Sequence, residues 1–223
     1  MSGSKLLRGT MLLTAATFIS KFLGMLYVIP FTAIVGGEGI ALYQFGYLPY
    51  TVILLLATMG IPMAVSKFVS KYNALGDYEI GHRLFKSGLL VMTCTGMIAF
   101  ILMYTLAPAI ASGIFNDPTK LEGNSLEDIV FTIRMVSTAL IIVPFMSIIR
   151  GYFQGHQSMG PTALSQVIEQ VVRIIFILVV AFTIIKLMDG DIGTAVGWAT
   201  FGAFVGAPAL IEQTNLPKLN PDA

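Results

Sequence analysis

Charge is what this sequence has least of. Of its 223 residues only 11% are charged, 13 Lys and Arg against 12 Asp and Glu, for a formal net charge of +1. No basic excess is present to hold a nucleic-acid backbone, so nucleic acid is not an expected partner. There is one cysteine, Cys94, so no intrachain disulfide forms and a metal-thiolate cluster is excluded; in its apolar surroundings it reads as a small core residue. The two histidines, His82 and His156, stand alone without metal-ligand spacing, and no metal or cofactor is expected. Gly36, Gly37 and Gly39 follow no strand and read as a tight turn, not a phosphate loop. No Ser, His and Asp arrangement suggests a hydrolase, and the chain is not expected to be an enzyme.

What fills the space is apolar. Hydrophobic residues make up 56% of the chain and mean hydropathy is +0.82, which indicates a membrane protein. Apolar runs predict six transmembrane helices at about 9–36, 40–65, 87–107, 129–149, 162–185 and 192–211. The fold class is therefore all-α and polytopic. Lys5 and Arg8 ahead of an apolar run look like the start of a signal peptide, but the run continues past Lys21 without a small-residue cleavage site.

Lys5, Arg8, Lys67, Lys71, Arg83, Lys86 and Arg150 fall on one side of this six-helix path, and only Lys120 and Lys186 on the other, with Arg134 near an outer helix end. The asymmetry puts both termini in the cytoplasm. Arg134 is close enough to its helix end to snorkel. Ser125 and Asp128 resemble an N-cap with its reciprocal partner. Pro49, Gly60, Pro62 and Pro144 predict breaks that should face protein or water, because lipid cannot replace a lost backbone donor. Tyr43, Phe45, Tyr47 and Tyr50 read as an aromatic interface belt.

Two polar seams carry the functional signal. Thr10, Thr14, Thr17, Lys21 and Gly24 share one face of the first helix at spacings of four and three. Lys21 lies about 18 Å along that helix, near the middle of a hydrocarbon core about 30 Å thick, where a lysine is costly unless it faces a protein interior or a wet cavity. In the fifth span, Thr162, Ser165, Gln166, Glu169 and Arg173 share a face, with Glu169 and Arg173 placed to pair at i, i+4. Two readings stay open: interhelical glue, or a cavity in which Lys21, Glu169 and Arg173, net positive, receive an anionic group such as a phosphate. Arg150 reads as a positive-inside anchor or part of a cytoplasmic gate.

The run Ile149-Arg-Gly-Tyr-Phe-Gln-Gly155, the stretch from Pro161 to Arg173, Ala41-Leu-Tyr-Gln-Phe45, Gly60-Ile-Pro-Met-Ala-Val-Ser-Lys67 and Ser20-Lys-Phe-Leu-Gly24 together resemble the stage V sporulation protein B-like branch of polysaccharide-biosynthesis transporters. That branch lies within the multidrug, oligosaccharidyl-lipid and polysaccharide (MOP) exporter superfamily, alongside the MurJ-type lipid II flippases. The resemblance implies one six-helix lobe of a two-lobe carrier moving an undecaprenyl-pyrophosphate-linked saccharide outward by alternating access. Lys21 falls where those flippases carry a first-helix basic residue, whereas Tyr27 stands where a second cavity arginine would be. Family members run to about twice this length, so the N-terminal lobe alone is present and the tail 212–223 reads as the soluble end of a truncated product. On this reading the chain has no flippase activity alone, and a second lobe or a second copy is its expected protein partner. Gly193 with Gly197 and Gly202 with Gly206 suit packing inside the lobe or such pairing. Two other classes remain: a multidrug cation antiporter of the same superfamily, which would need a free membrane carboxylate, and a non-transporting membrane interaction protein.

Overall fold

The computed structural model describes residues 3–114 and 123–206, with side chains over 7–113 and 123–206. The Lys5 side chain, Lys120, the end of the sixth span and the tail 212–223 lie outside these. Every regular element among the described residues is helical: α1 (Gly3–Leu26), α2 (Val28–Thr58), α3 (Ile61–Ala74), α4 (Tyr78–Ile114), α5 (Leu126–Ser137), α6 (Ala139–Gly155), α7 (Met159–Phe182), continued by a π turn at Thr183–Leu187, α8 (Ile192–Thr200) and α9 (Gly202–Gly206). Five helical stretches are long and apolar enough to cross a membrane, and a shorter sixth runs over Ile192–Gly206. The protein is a multi-pass, all-helical membrane protein.

One of those stretches, Val28–Ala74, has 47 residues and would be about 70 Å long if straight, more than twice a hydrocarbon core. It is not straight. The Tyr27 hydroxyl donates to that of Tyr43, sixteen residues on, at 3.3 Å, where a continuous helix would separate them by about 24 Å. The reversal falls at Gly36 (φ 71°, ψ −175°), a conformation open to glycine. The expected turn is therefore a one-residue hinge, with Gly37 and Gly39 already helical. A second break follows at Met59 (ψ 119°) and Gly60 (φ 78°), after which Pro62 sits in the first turn of α3, where its missing N–H costs nothing. The expected 40–65 span is thus divided. Pro49 and Pro144 stay inside α2 and α6. The carbonyl that Pro144 cannot bond belongs to Leu140, and a Cβ on Gly96 of α4 would lie only 2.5 Å from that oxygen. The freed backbone group faces protein, as a membrane helix requires.

The α5 and α6 pair is the hub. It begins at the expected capping box, with Asp128 N–H donating to Ser125 Oγ and Ser125 N–H to Asp128 Oδ2, both at 3.1 Å. The main core joins Phe31, Leu42 and Tyr50 of α2, Met103 of α4, Ile129 and Ile133 of α5, Ile177 of α7 and Val196 of α8. Tyr43 and Tyr50 are 7% and 4% exposed, so the expected interface belt is core instead, because the Gly36 reversal folds it inward. Cys94 is exposed on the outer surface of α4, not buried as its apolar context suggested. Both glycine pairs of the sixth span pack within the lobe: a Cβ on Gly193 would meet Asp128, on Gly197 Phe131, on Gly202 Phe176 and Ile177, and on Gly206 the Glu169 carbonyl. Asp191 caps α8 by accepting the Thr194 N–H at 2.7 Å, and that bond holds its carboxyl below the usual value.

A glycine pair not singled out in the sequence, Gly151 and Gly155, lets α6 meet α3 backbone to backbone, since a Cβ at Gly151 would lie 2.6 Å from the Pro62 carbonyl oxygen. Gly151→Ala is expected to destabilise the detergent-solubilised protein by about 1–3 kcal/mol through overpacking. Gly160→Ala, with nothing within 4 Å, should leave its thermal midpoint unchanged. Equal midpoints for the two variants would remove this contact from the account.

Candidate functional site

α1 and α7 lie side by side and run the same way. Gly9 sits against Met159 and Gly24 against Gln170, while Thr17 Oγ1 donates to Gln166 Oε1 at 3.3 Å and Ser20 Oγ to the Gln166 carbonyl at 3.4 Å. The two polar seams therefore meet, as lipid-exposed polar faces cannot. Ser20, which the sequence reading used only within a motif, makes one of these contacts; its register one residue before Lys21 was the available signal.

A cavity of about 560 Å³ opens along this seam, lined by Ser20, Lys21, Gly24 and Met25 of α1, Arg150 of α6, and Gln166, Glu169, Gln170 and Arg173 of α7. All four residues singled out for a site or gate, Lys21, Arg150, Glu169 and Arg173, are on its wall. Glu169 is 7% exposed and lies between two guanidiniums. Its Oε1 accepts from Arg173 Nη2 at 3.0 Å and its Oε2 from Arg150 Nη2. The expected i, i+4 pair is present, and Arg150, expected as an anchor or gate, joins it across helices. Gly206 is what lets α9 close behind this pair, against the Glu169 carbonyl and Arg173 Cβ.

Arg173 has a further partner that the sequence reading set aside. Its Nη1 donates to the Tyr47 hydroxyl at 3.1 Å. Tyr47 stacks on Tyr43 with ring centroids 5.0 Å apart and meets Tyr50 edge-on at 5.2 Å. Tyr43, Tyr47 and Tyr50 are spaced by four and three, a single helix face, and that spacing could have marked them as a packed row. Tyr27, in place of the expected arginine, bonds to the far end of the row through Tyr43.

The wall carries three cations, Lys21, Arg150 and Arg173, against one carboxylate, Glu169, so its formal charge is 3 − 1 = +2. The Nε atoms of Arg150 and Arg173 are buried and hydrogen-bond to none of the described residues. Two guanidiniums held by a shared carboxylate, beside the Lys21 ammonium, suit an oxyanion with several acceptor oxygens. No cluster of three or more metal-ligating side chains occurs among the described residues.

The profile of the family described as "Polysaccharide biosynthesis protein" matches residues 6–211. The chain belongs to that family. It is 55% identical over 204 residues to the lipid II flippase MurJ of Bacillus subtilis (strain 168), an alignment covering 92% of this chain and 37% of that protein. It is also 31% identical over 177 residues to stage V sporulation protein B of the same organism, covering 78% and 32%. Among solved structures, a MOP superfamily transporter from Pyrococcus furiosus superposes with a TM-score of 0.73 at 16% identity, over 97% of this chain and 47% of that one. An outward-facing multidrug resistance MATE family transporter of the MOP superfamily gives 0.72 at 16% identity, over 97% and 48%. These last two establish the MOP transporter fold of this family member. The chain spans about a third of the curated relatives' length and about half of the solved transporters'.

Proposed function

We propose that this chain forms the amino-terminal lobe of a flippase that carries a lipid-linked saccharide across the bacterial cytoplasmic membrane by alternating access against a second lobe. Lys21, Arg150 and Arg173 receive the lipid's diphosphate, and Glu169 orients the two arginines. The observation that carries the reading is the +2 charge of a cavity facing membrane-depth residues. Charge of that sign at that depth is costly without an anionic ligand, and a prenyl diphosphate supplies one. The relatives named for lipid II transport and sporulation support a cell-wall precursor as the cargo. A drug-cation antiporter is disfavoured, since the cavity's one carboxylate is held by two arginines and is not available for a cation. Titrating the complete transporter with lipid II should give saturable binding that falls about tenfold in Arg173→Gln; undiminished binding in that variant would end the assignment of the cavity.

We further propose that both termini face the cytoplasm. In a Cys94→Ser background, required because Cys94 is exposed, a cysteine at Glu127 should react with a membrane-impermeant maleimide in intact cells and one at Leu75 should not. Both positions are exposed, so accessibility alone decides the result, and the reverse pattern would invert the topology.

A further inference from the structure

Arg134 is a cation within a membrane-crossing stretch that the cavity does not use. It lies on α5, eight residues after Leu126, about 12 Å along the axis from the helix start. Its guanidinium carbon sits 5.1 Å from the Tyr104 ring of α4, and its Nε is buried without a hydrogen-bond partner among the described residues. It forms one wall of a groove of about 350 Å³ between α4 and α5, completed by Pro108, Leu126, Glu127, Val130 and Phe131. Glu127, exposed at the mouth, makes no ion pair with Arg134, being two helical turns away. The groove thus holds a cation and an anion about 10 Å apart along one helix, neither of them ion-paired among the described residues. Its other lining residues, Pro108, Leu126, Val130 and Phe131, are apolar, and Leu126 is 41% exposed. It shares no residue with the cavity of α1, α6 and α7.

We infer that this groove binds the headgroup of a zwitterionic phospholipid, its phosphate on Arg134 and its ammonium on Glu127. A guanidinium in a lipid-facing wall needs an oxyanion, and its planar fork fits a phosphodiester. The depth agrees: about 12 Å from the capped helix end is within reach of the headgroup level for a side chain that snorkels, in a bilayer whose core half-thickness is about 15 Å. The cation–π contact with Tyr104 holds the guanidinium in place at the groove. Glu127 selects against a purely anionic headgroup, which it would repel. Pro108, Leu126, Val130 and Phe131 give the acyl chains an apolar path. The site does not depend on the transport reading.

The full chain, purified in detergent and examined by native mass spectrometry with added lipid, tests the inference. Phosphatidylethanolamine should be retained in preference to phosphatidylglycerol, and both in preference to diacylglycerol. Arg134→Gln should lower phosphatidylethanolamine retention about tenfold, as expected for one lost charge-assisted pair, with Arg134→Lys intermediate. Glu127→Gln, at an exposed position that does not endanger folding, should abolish the preference for phosphatidylethanolamine over phosphatidylglycerol. Retention of diacylglycerol equal to phosphatidylethanolamine in the unmodified chain, or a Glu127→Gln chain with its preference intact, overturns the proposal. Binding of a prenyl diphosphate in the cavity should be unchanged by either substitution, which separates failure here from failure of the transport reading.

Discussion

Lys21→Ala in the complete transporter is expected to abolish rescue of a strain depleted of its lipid II flippase while leaving the protein's membrane level intact. The lysine lies on the cavity wall but is itself exposed within the lobe, and no salt bridge ties it to another described side chain, so its removal strands no partner and leaves packing alone. On the proposed function, what is lost is charge that receives the lipid's diphosphate. Lys21→Arg should retain part of the activity, because a cation remains at the same depth with a different hydrogen-bonding shape. Normal growth with Lys21→Ala at wild-type membrane level would show that the cavity does not need its charge; loss of growth with loss of protein would assign Lys21 to folding instead.

Glu169→Gln should be the most destabilising single change in the cavity. It removes the one carboxylate from between two guanidiniums, and breaking a buried pair by removing one partner costs about 3–5 kcal/mol. Arg150→Gln or Arg173→Gln leaves Glu169 with its other arginine and should cost less. The double variants Glu169→Gln with Arg150→Gln, and Glu169→Gln with Arg173→Gln, should each recover part of the single loss, since fewer unpaired charges remain. The thermal midpoints of the five variants decide this. If all three single variants were equal and the doubles additive, the shared-carboxylate arrangement would not hold the lobe together.

Much of this site was legible in sequence because helical spacing is a strong constraint. Thr17 and Lys21 on one helix, with Gln166, Glu169 and Arg173 on another, declare a polar stripe that lipid cannot accept, and two such stripes must meet each other or water. The Ser125 capping box is local and was equally readable. Arg150 was placed at the correct end of its helix, but its bond to Glu169 depends on how α6 approaches α7, which no periodicity encodes. The tyrosines were misread for the same reason. Tyr43, Tyr47 and Tyr50 near a predicted helix end fit an interface belt, and only the reversal at Gly36 turns them inward onto Arg173. Helix ends were likewise set by more than hydropathy. α4 extends from Tyr78 to Ile114 over 37 residues, well beyond the apolar window, and its first turns carry the exposed Glu79 and Arg83 pair at i, i+4.

The central claim is that the cavity recognises a diphosphate through Lys21, Arg150 and Arg173. Its most direct test is equilibrium binding of undecaprenyl diphosphate, against undecaprenol of the same chain length, to the complete transporter in nanodiscs. The diphosphate should bind at least about tenfold more tightly than the alcohol, a difference of about 1.4 kcal/mol, and Lys21→Ala and Arg173→Gln should each erase most of that margin. Equal affinity for the diphosphate and the alcohol, or a margin that survives both substitutions, would contradict it.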